Sequence, residues 1–180
     1  AAVVAWVEVH GGSPLDFLLP AHLAALFVGT QGPDRNLWVA PWLHQRVLAE
    51  ALGRLPALPA SEPVYFGMFV PDVPVAAIPA AAREFETAVR SPEAALAELD
   101  TREAGPGMRR VVVQVNGSPA RDVSFAAVRP GLRQVMFPWA TDLVVTSREW
   151  RTDGDGQRYE FVVATGRTAD PRRTPGAPAG

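Results

Sequence analysis

Arg109-Arg110-Val111-Val112-Val113-Gln114-Val115-Asn116-Gly117 is the stretch whose reading decides the fold. Residues 110–115 are almost all β-branched, and the run closes on Asn-Gly, the dipeptide that most readily takes the positive φ of a tight hairpin turn. Gly105-Pro106-Gly107 just upstream breaks whatever precedes it. Downstream, residues 122–128, 135–139, 143–150 and 158–165 repeat the same signature. Trp150 to Gln157 has the turn chemistry of a second hairpin. In the last run Tyr159, Phe161 and Val163 share one face and Arg158 and Glu160 the other, which predicts a sheet covering a core on one side.

Upstream of the break the pattern is mixed. Residues 3–9 read as a strand closed by Gly11-Gly12, and Ser13-Pro14-Leu15-Asp16 as a helix start that Pro20 limits or kinks. Residues 26–28 and 37–39 flank a turn-rich segment and suggest a hairpin. From Pro41 the period becomes helical, with Trp42, Leu43, Val47, Leu48, Ala51, Leu52 and Leu55 on one stripe. Residues 64–70 form a short apolar run expected to be a buried strand. Residues 77–90 and 92–103 read as two helices, the second opened by Ser91-Pro92-Glu93.

The expected architecture is therefore α+β: an antiparallel sheet, mainly from the C-terminal half, packed against three to four helices. Residues 1–167 are expected to form a single domain and residues 168–180 a disordered Pro/Ala/Gly tail.

Composition removes whole classes of chemistry. All seventeen basic residues are arginine, and there is neither lysine nor cysteine. A Walker-type phosphate loop, a Schiff-base nucleophile, a thiolate nucleophile and a cysteine-built zinc site are excluded. The single isoleucine and two asparagines beside abundant Ala, Val, Pro, Gly and Arg fit codon drift in a G+C-rich genome. Net charge of −2 gives no reason to expect nucleic acid or membrane as partner. The charge is uneven, with six arginines against twelve acids in residues 1–108 and eleven against seven in residues 109–180. Residues 1–9 lack a basic leader and are too short for a signal's apolar region, and no apolar run is long enough to span a bilayer; the expected compartment is the cytoplasm.

Local motifs for catalysis are missing. His10-Gly11-Gly12-Ser13 suits an oxyanion loop, but no serine sits in a G-x-S-x-G elbow to use it. His10, His22 and His44 lack metal-ligand spacing, so no metal is expected. Asp153-Gly154-Asp155-Gly156 fails the calcium-loop pattern where Gln157, Arg158 and Ala164 stand. No G-x-G-x-x-G follows a strand, and no cofactor is expected. His44, whose imidazole is of the type that serves as general base, and Asp142, beside Trp139, are the candidate catalytic groups. Trp38, Trp42, Trp139, Arg109 and Arg110 are the candidate binding residues.

These observations point to a non-catalytic binding or protein-interaction module whose partner is another protein. The alternative is a small enzyme or small-ligand carrier with a site assembled from distant residues under the sheet.

Overall fold

Val111, Val112, Val113 and Val115 are all fully buried. A strand apolar on both faces belongs at the centre of a covered sheet, and that is where it lies. The computed structural model describes residues 7–8, 11–30, 41–72, 81–82, 87–127, 133–138 and 141–168. The main sheet is ordered β1-β4-β8-β7-β2. Its strands are β1 (Val64–Pro71), β2 (Ala81–Ala82), β4 (Met108–Asn116), β7 (Thr141–Thr152) and β8 (Arg158–Thr168). A second sheet, ordered β3-β6-β5, holds three short strands: β3 (Thr87–Ala88), β5 (Arg121–Asp122) and β6 (Val135–Met136).

The main sheet is mixed, which corrects the antiparallel expectation. β8 hairpins back from β7 and inserts beside β4, and β4 and β8 run parallel, with Val113 opposite Val162. Asn116-Gly117 turns the chain as expected, Gly117 having φ +65°, but no hairpin partner follows it in the main sheet. The two neighbours of β4 are instead β1 and β8. β8 is also covered on both sides rather than one. Tyr159 and Phe161 face one core, Val162 and Ala164 the other, and Glu160 is buried against Arg109.

Three α-helices with described bounds complete this single α+β domain: α1 (Pro20–Gly29), α2 (Pro41–Arg54) and α3 (Pro92–Asp100). Each begins at a proline, whose fixed φ suits the first helical position and whose missing N–H is unneeded there. Pro20 thus opens a helix instead of limiting one, and residues 26–28 lie in α1 rather than in a hairpin. Val7 and Glu8 are helical, not extended. The expected helix over residues 77–90 is corrected where it is described: residues 81–82 and 87–88 are strands, captured by β7 and β6.

The layers follow from which side chains face which. Leu48, Ala51 and Leu52 of α2 pack with Leu26 of α1 on Val123 and Met136 of the small sheet. Phe66, Val111, Val113, Ala88, Val135 and Phe137 fill the space between the sheets. Ala95, Leu96 and Leu99 of α3 cover the outer face of the main sheet over Val112, Tyr159 and Phe161. Burying one such leucine contributes about 1.5–3 kcal/mol. Ser91 caps α3, its Oγ accepting from Ala94 N at 3.2 Å. Arg121 closes the other end of α2 by donating to the Leu52 carbonyl at 3.2 Å, and burial lowers its pKa.

Gly67 sets how closely α3 can lie on β1. A Cβ at that position would fall 2.5 Å from Leu99 Cγ and 2.8 Å from the Ala95 carbonyl oxygen. Only a residue without a side chain allows this contact.

Candidate functional site

Where the small sheet enters its middle strand, the backbone and a side chain both depart from the ordinary. Arg133 has φ +48°, the one positive φ at a non-glycine among the described residues. Such a conformation costs of order 1 kcal/mol or more and gathers at functional sites. The next residue, Gln134, is 4% exposed. Its backbone oxygen accepts from Val123 N at 3.1 Å, and its Nε2 donates to Glu98 Oε1 on α3 at 3.4 Å. Its Oε1 is buried and has no partner among the described residues. An unpaired buried amide oxygen costs about 1–3 kcal/mol, a deficit that a ligand N–H or O–H would remove.

Charge surrounds this point. Arg90, just after β3, pairs with Asp122 at 2.9 Å and Glu62 at 3.2 Å. Asp122 also accepts from the Ser124 amide and hydroxyl, at 2.9 and 2.6 Å. The Nε of Arg90 is buried and unpartnered. The Arg133 side chain is exposed and makes no ion pair among the described residues. Beside this ring the two sheets lock together through Phe66 and Phe137, whose rings meet edge to face at 6.4 Å. The junction thus offers a buried acceptor, a carboxylate next to it and an exposed cation at the rim.

The residues singled out from sequence fall elsewhere. His44 is buried in α2, its Nε2 3.0 Å from the Ala25 carbonyl of α1, so it ties two helices together. Asp142 is exposed on β7 opposite Ala81. Trp38 and Trp139 lie outside the described residues, as do the side chain of Trp42 and the whole of residues 169–180. Arg109 pairs with Glu160 at 3.1 Å, and Arg110 with Asp100 and Asp153 at 2.7 and 2.5 Å. Both arginines line a surface groove at the β7–β8 end of the main sheet. Gln134 gave no sequence signal, because a neutral amide in a short strand fits no catalytic pattern. Among the described residues no three His, Asp or Glu converge on a metal position. No helix among them is long and apolar enough to cross a membrane.

No family model matches the sequence, and no curated protein matches it. The three-dimensional arrangement is another matter. Vis toxin, an ADP-ribosyltransferase from Vibrio splendidus, superposes with a TM-score of 0.64 at 16% identity, over 92% of this chain and 81% of that one. The chain has the fold of ADP-ribosyltransferases. HopU1 of Pseudomonas syringae, also an ADP-ribosyltransferase, matches at 0.57 and 14% identity over 91% and 82% of the two chains. Exoenzyme S of Pseudomonas aeruginosa, solved with human 14-3-3 protein beta and bound to Carba-NAD, matches at 0.52 and 14% identity over 90% and 80%.

This likeness overturns the expectation of a non-catalytic, protein-binding module. Vis toxin and HopU1 are enzymes by name, and the small-enzyme alternative fits better. The earlier expectation rested on missing local motifs, and a site assembled across two sheets needs none.

Proposed function

We propose that the protein is an enzyme of ADP-ribosyl transfer, taking NAD at the junction of its two sheets. The observation that carries this reading is a fold shared with ADP-ribosyltransferases over nearly the whole chain, joined to a buried, unpartnered acceptor at Gln134. The residues at the junction suit the dinucleotide. Gln134 Oε1 can accept from a carboxamide N–H or a ribose hydroxyl, and Arg133 can face the pyrophosphate.

In such a transfer the bond from ribose C1′ to the nicotinamide nitrogen breaks, and its electron pair leaves with nicotinamide. The acceptor nucleophile forms the new bond to C1′ and gives up its proton. Positive charge gathers on the ribose in the transition state, so a nearby carboxylate lowers the barrier. Glu98, 3.4 Å from the Gln134 amide, is the carboxylate in reach. Asp122 and Glu62 are already committed to Arg90. The acceptor is proposed to be a protein. A cytoplasmic location, where NAD is at hand, is part of the same proposal.

One observation favours a second reading, a carrier that binds the dinucleotide without splitting it. The buried group at the junction is an uncharged amide, which can hold a ligand but stabilises a cation poorly. Calorimetric titration with NAD and a nicotinamide-release assay separate the two. Binding with release that falls at least about tenfold in Glu98→Gln supports the enzyme; tenfold corresponds to about 1.4 kcal/mol of barrier. Binding without release, with release appearing in Gln134→Glu, supports the carrier. No binding of NAD to the folded chain sinks both.

A further inference from the structure

A cavity outside the sheet junction lies on the outer face of the main sheet. It is an open groove of about 810 Å³ between the C-terminal end of α3 and the tip of the β7–β8 hairpin. That volume is in the range of specific ligand sites. We infer that this groove is a docking site for an acidic, partly apolar peptide segment of a protein partner. The inference goes beyond the proposed transfer chemistry and stands whether or not the junction splits NAD.

The walls explain the choice of occupant. Phe69 and Leu99 form an apolar floor, and Met108 and Trp150, at 36% and 52% exposure, are among the large apolar side chains the protein leaves in water. Four arginines line the groove, but Arg109 and Arg110 are taken up by Glu160, Asp100 and Asp153. Arg102, just past α3, makes no ion pair among the described residues. Arg158, at the start of β8, lies with its guanidinium 4.7 Å from the centre of the Trp150 ring and has no acid partner among them. Against these two free cations, Asp155 at the rim is the one lining acid outside an ion pair among the described residues. The groove therefore combines exposed apolar side chains with two arginines that lie outside any ion pair among the described residues.

A phosphate or nucleotide suits such a place poorly. Compact phosphates are held by converging N–H groups, typically at the N-terminal end of a helix. This groove meets the C-terminal end of α3, so no N-terminal amides of that helix converge on it. The two cations stand on separate elements, Arg102 just past α3 and Arg158 at the start of β8. Carboxylates spaced along an extended chain meet both, while alternate apolar side chains settle on the floor.

Binding of a fluorescent peptide alternating glutamate and phenylalanine to the full chain tests this, with a glutamine–phenylalanine peptide as the uncharged counterpart. The acidic peptide is expected to bind more tightly, to weaken with added salt, and to weaken about threefold in Arg102→Gln or Arg158→Gln and about tenfold in the double variant. Trp150→Ala should weaken both peptides. Arg46→Gln, on exposed α2 in the opposite outer layer, should change nothing. Circular dichroism of each variant controls for folding. Equal binding of the uncharged peptide, an equal loss in Arg46→Gln, or no binding of either peptide overturns the inference. Displacement by inorganic phosphate or NAD does so too, and would make the groove an anion or nucleotide site. The readout involves no NAD turnover, so its failure is separate from failure of the junction reading.

Discussion

Replacing Gly67 by alanine tests the packing that brings α3 onto the main sheet. The added methyl would meet Leu99 Cγ at 2.5 Å and the Ala95 carbonyl oxygen at 2.8 Å. Carbon atoms ordinarily rest about 3.5–4.0 Å apart, so roughly 1 Å of clearance is missing. Leu99 is fully buried and cannot swing into solvent. Ala95 presents backbone, so the helix itself must lift. Overpacking of this kind costs about 1–3 kcal/mol, and the modest strand preference for alanine over glycine, of order 0.5–1 kcal/mol, offsets part of it. A net loss of about 1–2 kcal/mol is expected, read as a lower urea midpoint at constant slope. Leu99→Ala alone should cost about 2–5 kcal/mol. In the double variant the clash with the leucine is gone, so the two losses should sum to more than is measured, by at least about 0.5 kcal/mol. Stability of Gly67→Ala within about 0.5 kcal/mol of the parent, or strictly additive losses, refutes the reasoning. Because Leu99 also floors the groove, the same substitution should weaken the acidic peptide.

Three further outcomes are expected. Burial works against the charge of Asp153, but the amides of Gln157 and Asp155 and the Arg110 guanidinium prevail and hold its pKa below the ordinary value of 3.8. The contribution is present above that value and lost as pH falls through the lower folded-state pKa. Acid unfolding should therefore begin at higher pH in Asp153→Asn, and an unchanged acid limb counts against it. Ser91→Ala removes the cap of α3 and should cost about 1 kcal/mol in thermal or urea unfolding; a change under about 0.3 kcal/mol would show the cap idle. Gln134→Leu removes a buried acceptor that lacks a partner and should leave stability within about 1 kcal/mol while abolishing NAD binding in calorimetry. Retained binding would place the dinucleotide elsewhere.

What could be read from sequence was what local physics determines. The apolar, β-branched runs of β7 and β8, the valine run of β4, the stripe of α2 and the Ser91-Pro92 start of α3 all carry their signal within a few residues. Residues 77–90 are rich in alanine, glutamate and arginine, which favour helix in isolation, yet where described they pair as edge strands. Tertiary pairing outweighed propensity. The parallel contact of β4 with β8 joins segments some fifty positions apart and has no local mark. Gln134 was silent for a similar reason: its partner Glu98 lies 36 positions away, and its missing partner shows only in three dimensions. Arg109 and Arg110 were noticed as a pair and do line a groove, but their charges are spent inside it; the free ones belong to Arg102 and Arg158.

The position of β8 has a consequence for how the molecule comes into being. It is the last of the described strands to be synthesised, yet it sits at the middle of the main sheet and supplies side chains to two of the three cores. Until it leaves the ribosome, β4 has an open flank and β7 lacks its hairpin mate. The main sheet therefore cannot close until the last described strand has been made, and until then its apolar strands stay open to chaperones.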